Sequence, residues 1–118
     1  MRRRLTGAFV ALAVDARTRR SRIGAGFGGL SGPAIKPVAL RMVCQAARAV
    51  KIPVIGLGGI ASGEDAAEFL IAGACAVQVG TATFWDPRSV LRIAEELAEF
   101  CIQEKIARAA DLVGTLKM

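Results

Sequence analysis

The sequence predicts an α/β domain built on a parallel sheet, and three observations carry that reading. Short apolar runs alternate with helical stripes along the chain. Two consecutive runs end in bare backbone, at Gly58-Gly59 and at Gly80-Thr81, with about one helix between them. A third glycine-rich segment, GAGFGGLSGP (24–33), precedes both. Such alternation calls for parallel strands joined by crossover helices. Right-handed crossovers then bring every strand C-terminus to one edge.

Each element follows from local pattern. FVALAV (9–14) is a nearly continuous apolar run, as expected of a strand buried on both faces. An arginine-rich loop follows Asp15. Five glycines in 24–33 exclude a regular element there. From Pro33 a helix is predicted, with Ala39, Val43, Ala46 or Ala47, and Val50 as its apolar stripe. IPVIGL (52–57) is a short, β-branched, uncharged strand ended by Gly58-Gly59. Ser62 with Asp65 makes a capping-box start for the next helix, and Gly73 is its expected left-handed C-cap. CAVQV (75–79) is the next strand. Asp86-Pro87 starts the last long helix, with Asp86 as N-cap and a stripe of Val90, Ala94, Leu97 and Cys101.

Composition narrows the chemistry. With 118 residues, 53% hydrophobic and 22% charged, the chain is of ordinary globular composition for one domain. It contains no histidine, which removes the commonest general base and the commonest metal ligand together. Cys44, Cys75 and Cys101 lack C-x-x-C spacing and number three, so they read as reduced packing thiols of a cytoplasmic protein. The net charge of +6 is concentrated in Arg2-Arg3-Arg4 and in RTRRSR (17–22). An arginine run can serve a nucleic-acid arm or a targeting peptide. No aromatic residue is interleaved for base stacking, so a solvated loop with no nucleic-acid role is expected. LTGAFVALAV (5–14) is too short to cross a membrane and has no convincing signal cleavage site.

The converging glycines predict a phosphate cradle. Glycine at a strand end lets backbone N–H groups approach an anion, Thr81 adds a hydroxyl, and helix N-termini add positive potential. The bland alternative is that the glycines only make tight turns; their repetition after consecutive strands favours the cradle. Neither a G-x-G-x-x-G fingerprint nor a G-x-x-x-x-G-K-[ST] loop is present, which argues against those two nucleotide sites.

GGLSGPAIKPVALRMV (28–43), IPVIGLGGIASGEDAAEFLIAGACAVQVGTATFWDP (52–87) and DLVGTL (111–116) together resemble the C-terminal third of dihydroorotate dehydrogenase, and GGLSGPAIKP resembles the class 1B catalytic subunit. The resemblance covers about residues 9–116, and MRRRLTGA (1–8) stands apart as an atypical N-terminal segment. It implies that residues 1–118 form part of an FMN-binding (β/α)8 TIM barrel, about its last three βα units, from an enzyme that oxidises dihydroorotate to orotate in pyrimidine synthesis. It places the FMN phosphate at Gly58, Gly59, Gly80 and Thr81, with Gly32 as another flavin contact. It also implies an electron-transfer subunit carrying FAD and an iron–sulfur cluster.

Two departures from the family pattern shape the expectation. A whole barrel takes roughly 250 residues, so the family's catalytic cysteine and flavin-site lysine fall in a portion outside this chain. The family's substrate-contacting Asn-Thr pair corresponds to Gly7 and Ala8 here. The chain is therefore expected to keep the phosphate half of the site, to be inactive alone, and to self-associate through its uncovered inner face. Two rival functions stand beside this one: a basic nucleic-acid-binding module, and another barrel enzyme that uses the cradle for a sugar phosphate.

Overall fold

A computed structural model describes residues 3–4 and 9–118. Gly7 and Ala8 lie outside the described residues. The order is β1 (Arg3–Arg4), β2 (Phe9–Ala11), β3 (Val14–Asp15), β4 (Arg20–Ser21) and β5 (Gly28–Leu30). A 3-10 turn (Pro33–Ile35) leads into α1 (Lys36–Ala49), β6 (Val54–Leu57), α2 (Gly63–Ala72) and β7 (Ala76–Gln78). The chain continues through α3 (Ala82–Trp85), α4 (Ser89–Gln103) and a second 3-10 turn (Ala109–Leu112).

The organising sheet is parallel and runs β1-β6-β7, with Arg3 opposite Val54, Ile55 opposite Ala76 and Leu57 opposite Gln78. This is the α/β barrel segment that the sequence predicts, but its first strand lies earlier than expected. Residues 9–14 do not enter this sheet. Phe9–Ala11 instead pair antiparallel with Gly28–Leu30, inside the glycine segment where no element was expected. The reason is tertiary. Gly28 and Gly29 cost the strand intrinsic stability, yet an apolar partner strand lies opposite them. Nor is FVALAV buried on both faces: Val10 is 84% exposed, while Phe9 and Ala11 are half-buried.

The arginine cluster faces solvent as expected, in a hairpin whose turn spans 16–19 and whose second strand begins at Arg20. β3 and β4 pair antiparallel, and Asp15 Oδ1 accepts the amides of Arg17 and Thr18 at 2.9 and 3.1 Å. Those amides hold the Asp15 carboxyl below its usual range. Arg19 turns the corner with φ 56°, and Arg17, Arg19, Arg20 and Arg22 are all exposed.

Helices cover one face of the sheet. Val43 of α1, Val54 of β6, Phe69 of α2, Ala74 and Ile93 of α4 form the main core. Gly56 is required beneath Phe69, because a Cβ there would sit 2.6 Å from the ring. In α1, Ala39 and Val43 are buried and Ala46 and Ala47 pack on the core as predicted, whereas Val50 lies past the helix end and is exposed. The phase of α4 also departs from expectation. Val90 and Ala94 are exposed; Ser89, Ile93 and Cys101 are buried, with Leu97 packed beside them. The Asp86-Pro87 start shifts in bounds but keeps its cap: Arg88 is the N-cap and Asp86 closes the short α3 that the sequence pattern did not reveal, while Asp86 Oδ1 accepts the Arg88 amide at 3.1 Å.

The opposite face is sparsely covered. Ile55 and Leu57 are half-buried, and their register partners Ala76 and Gln78 are exposed. Cys75, expected in packing, is exposed at the start of β7, which is an edge strand among the described residues. Cys44 is half-buried and Cys101 buried, as expected. The tail docks on α2, where Gly114 and Leu116 donate to the carbonyls of Leu70 and Ile71. Those bonds satisfy acceptors that a helix C-terminus leaves open.

Candidate functional site

Because β6 and β7 are parallel, the segments that leave them emerge at one sheet edge. Gly58 and Gly59 follow β6, and Gly80 and Thr81 follow β7. Together with Gly32 they line a single cleft of about 280 Å³. All five predicted site residues are thus brought together. Pro33, Leu57, Ile60, Ala82 and Trp85 complete the wall.

The backbone at this edge requires glycine at three of its positions, whereas a Cβ on Gly80 would meet only Leu57 Cδ1 at 3.9 Å. Gly32, Gly58 and Gly59 have φ of 86°, 136° and 74°, which disfavour any other residue. A Cβ on Gly59 would stand 2.7 Å from the Gly32 carbonyl oxygen and 3.0 Å from the Lys36 amide. Among the described residues, the Gly59, Gly80 and Thr81 amides donate to no carbonyl or side chain outside the strands. The Thr81 hydroxyl donates to Ser31 Oγ at 2.8 Å. Ser31 went unnoticed in the sequence, although it adjoins Gly32 within GGLSGP.

One part of the expected cradle takes a different form. The N-terminus of α2 is already neutralised by protein groups. Ser62 Oγ accepts the Asp65 amide at 3.1 Å, and Asp65 Oδ2 accepts the Ser62 and Ala61 amides at 3.1 and 2.9 Å. Glu96 Oε2, from α4, accepts the Gly63 amide at 2.7 Å. The capping box predicted from Ser62 and Asp65 is therefore present. Its success removes this helix dipole as a free anion donor, and the amides of the loop take that part.

Two charged networks fix the 58–63 loop from opposite sides. Lys36 Nζ lies 2.6 Å from Asp65 Oδ1 and 3.0 Å from Glu68 Oε2. Arg92 lies 2.9 Å from Asp86 and 2.7 Å from Glu96, and also donates to the Ala61 carbonyl at 3.0 Å. Burial would raise the Asp65 pKa, but Lys36, the Ala61 amide and the Ser62 side chain outweigh it and hold the carboxyl below its usual range. The Gly63 amide and then Arg92 hold Glu96 below its range. Neither network was legible in the sequence, beyond the four-residue spacing of Arg92 and Glu96.

The sign of the pH dependence follows from Asp65. A folded-state pKa below the unfolded one stabilises the fold above the unfolded value, about 3.9. That stabilisation is lost as pH falls through the folded pKa. Asp65→Asn is expected to destabilise the chain by about 1–3 kcal/mol at pH 7. The difference from wild type should shrink steadily below about pH 4. Urea unfolding at fixed protein concentration measures it, and a gap unchanged down to pH 3 would contradict the assignment.

Parallel βα units with a glycine-lined cleft beyond their strand C-termini define a portion of a (β/α)8 barrel. A solved structure agrees: the chain superposes on DHODH from Eimeria tenella, crystallised in complex with ferulenol, with a TM-score of 0.72 at 28% identity, covering 89% of this chain and 29% of that one. A sequence profile of the family described as dihydroorotate dehydrogenase matches residues 6–101, and the chain belongs to that family. A Solibacter usitatus relative, named as a dihydroorotate dehydrogenase A (fumarate), is 77% identical over 113 residues, 96% of this chain and 37% of the relative. The dihydroorotate dehydrogenase B (NAD(+)) catalytic subunit of Citrifermentans bemidjiense is 52% identical over 114 residues, 97% of this chain and 37% of that protein. The chain thus spans about 37% of the length of these curated relatives.

Proposed function

We propose that this chain forms the phosphate-holding end of an FMN-binding barrel that oxidises dihydroorotate to orotate. The observation that carries the reading is the convergence of Gly32, Gly58, Gly59, Gly80 and Thr81 on one cleft at the C-terminal strand edge. FMN fits the donor set. Its phosphate is an anion, and the cleft offers the backbone amides of Gly59, Gly80 and Thr81, at an edge where Gly59 has no space for a Cβ. When bound, the flavin supplies the hydride acceptor. This chain's residues bind and orient: Gly59, Gly80 and Thr81 present donors, and Lys36 and Arg92 hold the loops that carry them. Lys36 does not itself serve as the phosphate cation, because its ammonium is committed to Asp65 and Glu68.

The base that removes the substrate proton, by this reading, belongs to barrel units that these 118 residues do not include. Relatives named for fumarate and for NAD(+) both align with this segment. In the NAD-linked form the partner is a subunit carrying FAD and an iron–sulfur cluster, and the assembly is cytoplasmic. No described helix is long and apolar enough to cross a membrane.

The test compares two proteins. One is the 118-residue chain; the other joins it to the preceding barrel units of the Solibacter usitatus relative. The joined protein should be yellow, retain FMN through desalting and make orotate. The chain alone should make none and should self-associate through the half-covered face of Ile55 and Leu57. A joined protein that folds but holds no flavin would refute the proposal, and orotate formation by the chain alone would refute its division of labour.

A further inference from the structure

We propose that Arg92 is a positioning residue that fixes the spacing between the two phosphate-holding loops; the inference rests on the FMN-phosphate reading above. The first loop runs from Gly58 through Gly63 and the second from Gly80 through Asp86. Arg92 lies on α4 and belongs to neither. Its Nη2 donates to the Ala61 carbonyl at 3.0 Å, two residues past Gly59. Its Nε donates to Asp86 Oδ2 at 2.9 Å, at the end of α3. Its Nη1 donates to Glu96 Oε1 at 2.7 Å, while Glu96 Oε2 accepts the Gly63 amide at 2.7 Å. Among the described residues, Arg92 is the one side chain that hydrogen-bonds both loops.

The second loop passes this restraint back to the cleft. Asp86 donates its amide to Ala82, Phe84 to Thr81, and Thr83 to Gly80, so the segment from Gly80 to Asp86 is one wound unit. Holding Asp86 therefore holds Gly80 and Thr81. Arginine suits the task because its planar guanidinium presents several donors in a rigid fork. An ammonium at the same place is a single charge on a flexible stem and cannot hold three directions equally. The network is partly exposed, with side chains 30–39% accessible, so it sets geometry without dominating stability.

A ligand measurement and a ligand-free one separate positioning from general support. Wild type, Arg92→Gln and Arg92→Lys are prepared in the joined barrel, in which this chain follows the preceding units of the Solibacter usitatus relative. Flavin fluorescence then gives the affinity for FMN and for riboflavin, which lacks the phosphate. Arg92→Gln should weaken FMN about tenfold, or about 1.4 kcal/mol, and leave riboflavin unchanged; Arg92→Lys should fall between. Without ligand, amide exchange should accelerate in Gly59–Gly63 and in Thr81–Asp86 together. Equal losses for both flavins, or exchange rising uniformly along the chain, would show a merely structural role and overturn the proposal. A variant that keeps the wild-type preference for FMN overturns the role while sparing the phosphate reading. A wild type with no preference for FMN overturns both.

Discussion

Gly59→Val should abolish FMN retention in the joined barrel, with affinity falling by at least about 100-fold, or about 3 kcal/mol. Two independent costs act at this position. The backbone has φ 74°, where a β-branched residue is strongly disfavoured. The added Cβ would also stand 2.7 Å from the Gly32 carbonyl oxygen and 3.0 Å from the Lys36 amide nitrogen. Both obstacles are backbone, so neither can swing aside like a side chain. The loop must retreat, and Gly32, itself a wall of the cleft, is displaced with it. Gly59→Ala carries the same clash with less strain and should give an intermediate loss. The check is flavin remaining after desalting together with a titrated affinity. Undiminished retention in the valine variant would remove Gly59 from the site.

Gly63→Val should destabilise the fold by about 3–5 kcal/mol, as overpacking and a lost charge-assisted hydrogen bond combine. Gly63 opens α2 against the middle of α4. A Cβ there would fall on the Cβ and carbonyl carbon of Glu96 and on the Leu97 amide, closer than real contacts allow. The two helices would have to separate, and the bond from the Gly63 amide to Glu96 would lengthen or break. Against a net stability of about 5–15 kcal/mol this is a large fraction. For a domain of this size it corresponds to a fall in Tm of roughly 15–25 °C. Circular dichroism at fixed protein concentration reads it. A fall of less than about 5 °C, roughly 1 kcal/mol, would mean that Gly63 does not set the helix spacing.

The cradle residues were legible because each leaves a local mark. Gly58-Gly59 and Gly80-Thr81 end apolar runs in the same phase, and parallel topology does the rest. Ser62 and Asp65 are three residues apart, so their capping box can be read without knowing the fold. Gly73 is equally local, and its φ of 120° bears out the expected C-cap region. What failed to show depended on distant partners. FVALAV is apolar enough for a buried strand, but its actual partner is a glycine segment some twenty residues away. The α4 pattern admits two neighbouring faces, and contact with α2 selects the one through Ser89, Ile93 and Cys101.

The sequence by itself determined the alternation of strands and helices, the caps of α2 and the glycines at the two strand ends. These rest on backbone conformation and hydrogen bonds within a few residues, which residue type controls directly. Tertiary structure alone decided the antiparallel excursion at Phe9–Ala11, the face that α4 presents, and the Arg92 network that ties Ala61 and Asp86 together. The strand pairs lie 17 to 21 residues apart and Arg92 lies 31 from Ala61, while the buried face of α4 is one of several compatible with its pattern. Their energies exist only after the sheet has placed the helices, so no local pattern could carry them.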